Sequence, residues 1–389
     1  MSERAKRFYR DQSGKLRIKQ DRAAARLVME DGTVLEGLSF GASGRSFGEL
    51  VFNTSLMGYQ EVLTDPSYAG QVITMTYPEM GNYGANAEDL ESKKVFARGL
   101  VVRHLSRLHS NFRAQESLEA FMQRHGVVGI SEVDTRHITR KLRDQGAMRC
   151  LITNLEEDLA ADTAKLTKLV KDSPEMTGQD LTAEVTTDKV YKLGQGNKLK
   201  VSVLDFGCKA NILNELTKRD IEVTVYPAQT AAKAVLETKP DGIFLSNGPG
   251  DPAACAAVLK ELPQLIESKI PIFGICLGHQ LLSIAMGAST YKLKFGHRGG
   301  NQPVKDLTTG KIEVTSQNHG FAVDDKSLPE HLELTHINLN DNSVEGFRHR
   351  TLPIFAVQYH PESSPGPHDS TYLFDRFVSL MSGAVKAAK

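Results

Sequence analysis

The carboxy-terminal half of the chain alternates short, unbroken apolar runs with stretches whose apolar residues recur at helical spacing. Val201-Ser202-Val203-Leu204-Asp205-Phe206, Val223-Thr224-Val225-Tyr226 and Gly242-Ile243-Phe244-Leu245-Ser246 read as buried strands. Asn211 to Lys218, Ala231 to Glu237 and Ala253 to Glu267 read as the helices between them. Alternation of this kind predicts a doubly wound, mostly parallel α/β sheet over 200–385. The amino-terminal part follows another rule. Runs such as Ala25-Arg26-Leu27-Val28-Met29 lead into turns such as Glu30-Asp31-Gly32, and helical spacing appears only at Ser117 to Met122 and from the capping residue Asp134 to Leu142. A smaller α+β domain rich in strands is predicted over 26–150. Residues 151–199 are polar, rich in Lys, Thr and Asp, with one amphipathic helix near Leu159 to Val170, and read as a linker region.

Composition narrows the classes open to such a chain. At 389 residues it can bury two or three cores, and 47 basic against 47 acidic side chains give no electrostatic footing for nucleic acid. A hydrophobic share of 40% with ordinary charge indicates a soluble globular protein. The most apolar stretch, Ile270 to Ala288, is interrupted by Pro271, His279 and Gln280, so no membrane span is expected. Cys150, Cys208, Cys255 and Cys276 have neither C-x-x-C pairing nor metal or disulfide spacing. No metal centre is therefore expected, and a reducing cytoplasm fits. Residues 1–25 are basic, from Arg4 to Arg22, without an apolar core, and read as a solvated tail rather than a secretory signal.

Candidate chemistry concentrates where apolar runs end. Phe273-Gly274-Ile275-Cys276-Leu277-Gly278-His279-Gln280 places a cysteine between glycines, after a strand pattern and before a helical one. That is the pattern of a nucleophile elbow, where small neighbours allow a sharp turn and the amides opening the helix stabilise negative charge on sulfur. Val357-Gln358-Tyr359-His360-Pro361-Glu362 ends another run with a histidine and a carboxylate, so Cys276, His360 and Glu362 form a candidate nucleophile, base and orienter. His279 is the rival base, disfavoured because it lies three residues along the same helix. Asn247-Gly248-Pro249-Gly250-Asp251-Pro252 is either a tight turn or a backbone cradle. Beside the elbow it offers the Gly248 amide which, with that of Leu277, could bind an oxyanion.

Taken together, these motifs resemble a class I (triad) glutamine amidotransferase domain. Lys294 to Asn301, Ser316 to Phe321 and Ser364 to Asp369 are further similar to the small, glutamine-hydrolysing chains of carbamoyl phosphate synthetases. So are Phe52 to Ser55, Gly58 to Glu61, Leu63 to Tyr68 and Asp134 to Arg136 in the first domain. Two departures from the family pattern are Leu56-Met57 ahead of Gly58 and the extended basic tail. The resemblance implies that Cys276 forms a γ-glutamyl thioester, and that Ser55, Gly248, Gly250, Leu277, Gln280, Asn318, Gly320 and Phe321 bind L-glutamine. It also implies delivery of ammonia to a large partner subunit that uses ATP and Mg to make carbamoyl phosphate, for pyrimidine and arginine synthesis. This chain has neither G-x-x-x-x-G-K-[ST] nor a well-placed G-x-G-x-x-G, so no cofactor is expected on it.

Overall fold

The computed structural model describes residues 8–10, 16–18, 22–196 and 198–383. Of the basic tail, Phe8–Arg10 pairs antiparallel with Leu16–Ile18, and the rest up to residue 21 lies outside the described residues.

Seven strands then close into a barrel, in the order Val128–Ser131, Val34–Gly41, Ala24–Met29, Met148–Thr153, Arg45–Asn53, Gln71–Met75 and Gly99–Val101. The two-residue period of a strand sorts its side chains. Leu27 and Met29 join Leu50, Val72, Val101, Ile130 and Ile152 in one core, whereas Val28 and Leu151 pack on the other side with Leu166 and Val170. Those last two residues, one turn apart, belong to the helix Thr163–Lys171, which Asp162 caps by accepting from the Lys165 amide at 2.8 Å. The polar segment after residue 150 thus completes the barrel and covers it. Further on, Met176, Leu181 and Val185 pack against Ala69 and Phe321.

The carboxy-terminal part is the doubly wound sheet that the apolar runs predict. Its parallel strands run in the order Ile221–Pro227, Leu199–Asp205, Gly242–Leu245, Ile272–Ile275 and Ile354–Val357. Antiparallel strands extend both edges: Tyr191–Leu193 on one, and Val344–His349, Leu332–Asn338, Thr290–Asp306 and Ile312–Val323 on the other. One face packs on the helices Ala232–Glu237, Ala256–Glu267 and Leu277–Ala285, the other on Ala210–Thr217 and Tyr372–Met381. Phe244, Phe273, Phe374 and Phe377 are fully buried there, each contributing about 1.5–3 kcal/mol of burial energy. Strand order reverses on either side of Leu199–Asp205, and a crevice at the carboxyl ends of strands is expected at such a switch point. Lys209, Gly248, Cys276 and His360 all follow strands at that rim.

Candidate active site

Cys276 caps the helix Leu277–Ala285 with φ 54° and ψ −105°, angles that a side-chain-bearing residue adopts only when its surroundings enforce them. Its N–H donates to the Val357 carbonyl at 2.9 Å, and the Cys276 carbonyl accepts from the Gln280 N–H at 3.1 Å. The flanking glycines are required by close approach. A Cβ on Gly278 would lie 2.3 Å from the Leu245 carbonyl oxygen, and one on Gly274 would lie 2.8 Å from Leu282 Cδ1. Cys276 Sγ sits 3.7 Å from the Asn318 carbonyl oxygen and is almost fully buried. The Gly278 amide is taken by the Ser246 carbonyl at 3.0 Å, but among the described residues neither the Leu277 nor the Gly248 amide has a protein acceptor. Gly248 is pressed so tightly into this corner that a Cβ there would lie 2.2 Å from the Phe206 carbonyl oxygen.

Just beyond the strand Ile354–Val357, the N–H of His360 donates to the Ser316 carbonyl at 2.8 Å, which fixes the backbone. Nδ1 lies 2.6 Å from Glu362 Oε1, and that same oxygen accepts from Lys209 Nζ at 3.0 Å. Lys209 also donates to the Ser363 carbonyl, and Asn211 Nδ2 donates to the Glu362 carbonyl at 2.5 Å. Burial opposes charge on His360, yet the Glu362 carboxylate and the nearby Cys276 thiol outweigh it and hold the imidazole up to about 10. Burial likewise opposes charge on Glu362, but Lys209 and His360 hold it down to about 2. The carboxylate therefore fixes a proton on Nδ1, while Nε2 has no hydrogen-bond partner among the described residues. His279, the rival base, is fully buried with both ring nitrogens unpartnered, 5.1 Å from the Phe347 ring. Burial pushes it down to about 3, so it is a neutral core residue.

A cavity beside the thiol brings together Gly248, Gly250, Cys276, Gln280, Asn318, Gly320 and Phe321. Leu277 is buried and its side chain does not line this cavity. Ser55 is not in that cavity: it lines a second one with Lys209, His360 and Pro365, and Asn318 borders both. The Gln280 amide nitrogen is engaged by the Phe321 carbonyl at 2.8 Å and by Gln358 Oε1 at 2.9 Å, so this side chain holds the wall in place. Asn318 Nδ2 donates to Asp65 at 3.2 Å, whereas its Oδ1 is a buried acceptor without a donor.

Sequence patterns alone miss the residues that the barrel contributes. Glu49, Ser67 and Gln71 reach the first cavity, as does Arg298 from the sheet. Arg298 Nε donates to Gln71 Oε1 at 3.1 Å, Asn247 Nδ2 donates to Ser67 Oγ at 2.8 Å, and the Thr54 N–H donates to the Arg298 carbonyl at 3.2 Å. The site thus lies where barrel and sheet meet, a common place for a small-molecule pocket. Lys209 is missed for the same reason, since a single lysine after a strand has no motif around it.

Comparison with known proteins agrees with this architecture in both halves. Residues 202–380 match the model of the glutamine amidotransferase class-I family, and residues 27–152 match that of the carbamoyl-phosphate synthase small chain, CPSase domain. The chain is 54% identical over 358 residues to a carbamoyl phosphate synthase small chain from Chlorobaculum tepidum, covering 91% of this chain and 97% of that one. It is 50% identical over 375 residues to one from Aquifex aeolicus, covering 93% and 100%. Among solved structures, a glutamine amidotransferase from Thermotoga maritima gives a TM-score of 0.35 at 19% identity, over 42% of this chain and 76% of that one. With both domains matched in order and about half of the residues identical along nearly the whole length, the chain belongs to the family of carbamoyl phosphate synthase small chains.

Proposed function

We propose that this chain is the glutaminase of a carbamoyl phosphate synthase, with Cys276 as nucleophile, His360 as acid and base, and Glu362 as orienter. The observation that carries the proposal is the strained, buried Cys276 at a helix mouth, served by an imidazole whose other nitrogen is bound to Glu362. Sulfur attacks the side-chain carboxamide carbon of glutamine, and the resulting oxyanion is received by the Leu277 and Gly248 amides. His360 gives its Nε2 proton to the departing nitrogen, which leaves as ammonia and a γ-glutamyl thioester. Nε2 then takes a proton from water as the oxygen attacks the thioester, releasing glutamate and the thiolate. Arg298 and Glu49 give the cavity one cation and one anion, which suits an amino acid whose α-groups carry both charges.

Ammonia released into water would become ammonium, so a protected route to the next reaction is needed. The second cavity, bordered by Asn318 and His360, shares Ser55, Ser364 and Pro365 with a surface cavity of about 540 Å³. Leu56 and Met57, 71% and 64% exposed, stand on that rim. We take this face to dock on the large subunit, which would supply ATP, Mg and bicarbonate chemistry and feed pyrimidine and arginine synthesis. The barrel over 26–150, the intervening segment over 151–199 and the hydrolysing domain over 200–385 are the working division of the chain. A cytoplasmic place is part of the same reading, and no helix among the described residues is long and apolar enough to cross a membrane.

The experiment is peptide mapping by mass spectrometry after brief acid quench from excess glutamine, with the chain alone and with its large subunit. A γ-glutamyl adduct on Cys276 is expected, and an adduct on another residue would overturn the assignment. Free turnover at full rate without any large subunit would instead favour an independent γ-glutamyl hydrolase.

A further inference from the structure

His297, His319 and Glu345 come from three strands of the antiparallel half of the sheet, Thr290–Asp306, Ile312–Val323 and Val344–His349, and all are buried. One donor atom from each lies within 4.8 Å of the others. The two histidines face each other across the strand pair, with ring centroids 4.9 Å apart and the rings edge to face.

Each of the three is already held in orientation by a neighbouring group, as a metal ligand is. Asp341 Oδ2 lies 2.9 Å from His297 Nε2 and Glu345 Oε1 lies 3.6 Å from its Nδ1, so the ring stands between two carboxylates. The Phe321 carbonyl lies 2.7 Å from His319 Nδ1, so that nitrogen carries the proton and Nε2 is the acceptor. His319 Nε2 in turn lies 3.1 Å from Gln317 Oε1, an acceptor set against an acceptor. Asn338 Nδ2 donates to Glu345 Oε1 at 3.0 Å and lies 3.5 Å from His297 Nδ1. Glu345 Oε2 is buried with no hydrogen-bond partner among the described residues. Carboxylate oxygens and imidazole nitrogens gathered in this way, with Glu345 Oε2 unpartnered, are stabilised by a cation, either a proton on His297 Nδ1 or a metal ion that replaces it.

We propose that His297, His319 and Glu345 form a binding site for a divalent transition-metal ion, with Zn²⁺ the best match to two imidazole nitrogens and one carboxylate. Metal–ligand bonds of about 2.0–2.2 Å draw such donors closer than they stand here, a contraction that the unbonded Glu345 oxygen can supply by rotation. The ion reaches the site past Asp341, whose side chain is 41% exposed and which precedes the turn residue Asn342. Its role is structural. His319 lies between Asn318 and Gly320, so a metal there ties the wall of the glutamine cavity to the strand bearing Glu345. The spacing 297, 319, 345 follows no ligand motif, and only strand pairing brings these residues together.

The test uses the full chain with its cysteines alkylated, stripped by a chelator and then titrated with Zn²⁺ against a chromophoric competitor, with metal counted by mass spectrometry. The expected result is one Zn²⁺ per chain and a raised melting temperature. Binding should be lost in Glu345→Gln and weakened about 10–100-fold in Asp341→Asn, which removes only outer support. Co²⁺ in the same protein should give the visible absorption of a four-coordinate site. Absence of stoichiometric binding to the folded wild-type chain overturns the proposal and leaves a proton on His297 Nδ1 as the cation between Asp341 and Glu345. Equal affinity in wild type and Asp341→Asn overturns it too, by placing the ion elsewhere. Should Glu345→Gln fail to fold, the exposed Asp341 variant decides.

Discussion

Lys209 and Glu362 form an ion pair shut off from water: Nζ lies 3.0 Å from Oε1, with the side chains 3% and 0% exposed. The carboxylate that orients His360 is therefore itself held by a cation from the far side of the rim. Removing one member of such a pair leaves the other charged and buried, at a cost of about 3–5 kcal/mol. Lys209→Met should lower the unfolding free energy by about that much in urea denaturation. The double variant Lys209→Met/Glu362→Gln should lose clearly less than the sum of the single losses. Additive losses would mean that the two charges do not depend on each other.

Glutamine chemistry and ammonia chemistry should separate cleanly. In the assembled synthetase, Cys276→Ala should abolish carbamoyl phosphate formation from glutamine while leaving formation from added ammonium salts within about twofold. Glu362→Gln should cut glutamine-dependent kcat by about 10⁴, the effect of losing the orienting carboxylate in a comparable triad. Loss of the ammonia-dependent reaction in the cysteine variant would point to a structural role for Cys276.

The pH dependence of stability follows from the same pair. His360 is raised from 6.5 to about 10, with burial opposing and Glu362 and Cys276 prevailing, so its contribution is complete below pH 6.5 and is lost as pH rises through about 10. Glu362 is lowered from 4.5 to about 2, with burial opposing and Lys209 and His360 prevailing, so its contribution is complete above pH 4.5 and is lost as pH falls through about 2. Both are full only between those limits, from pH 4.5 to 6.5. The difference in unfolding free energy between wild type and Glu362→Gln should be flat across that window and shrink on either side. A difference that stays constant up to pH 10 would show that His360 is not held protonated.

Gly248→Ala tests the backbone cradle. The added Cβ would meet the Phe206 carbonyl oxygen at 2.2 Å and Leu277 Cδ2 at 2.8 Å, so the loop must move away from the elbow. Loss of one oxyanion donor costs about 10²–10³ in kcat, and that loss is expected with KM changed much less. An unchanged kcat would remove Gly248 from the oxyanion site.

Replacing Leu56 and Met57 together by glutamate should weaken association with the large subunit by about tenfold or more, since buried apolar contact becomes buried charge. The isolated chain should hydrolyse glutamine as before, because both side chains are solvent-exposed. Sedimentation of the mixed subunits reads the first outcome and glutamate release the second; undiminished association would place the docking face elsewhere.

Features that depend only on neighbours along the chain are legible in its residues. Apolar runs and helical spacing carry the doubly wound sheet, and Gly274-Ile275-Cys276-Leu277-Gly278 carries the elbow, because strand, turn and helix propensities act over a few residues. His360 and Glu362 are legible for the same reason, being two residues apart at the end of one strand. The amphipathic helix within 151–199 is legible too, but not that its Leu166 and Val170 pack on Val28 and Leu151 of the barrel, because those strands are absent from the local pattern. Only the folded chain shows that Lys209 completes the His360–Glu362 pair, that Ser55 lines a second cavity in which Asn318 alone of the other glutamine candidates joins it, and that Glu49, Gln71 and Arg298 line the site. Those relationships join residues far apart in the chain. They are settled by which strands pair and how the barrel seats on the sheet, and pairing is chosen by the burial of whole faces rather than by any short run of residues.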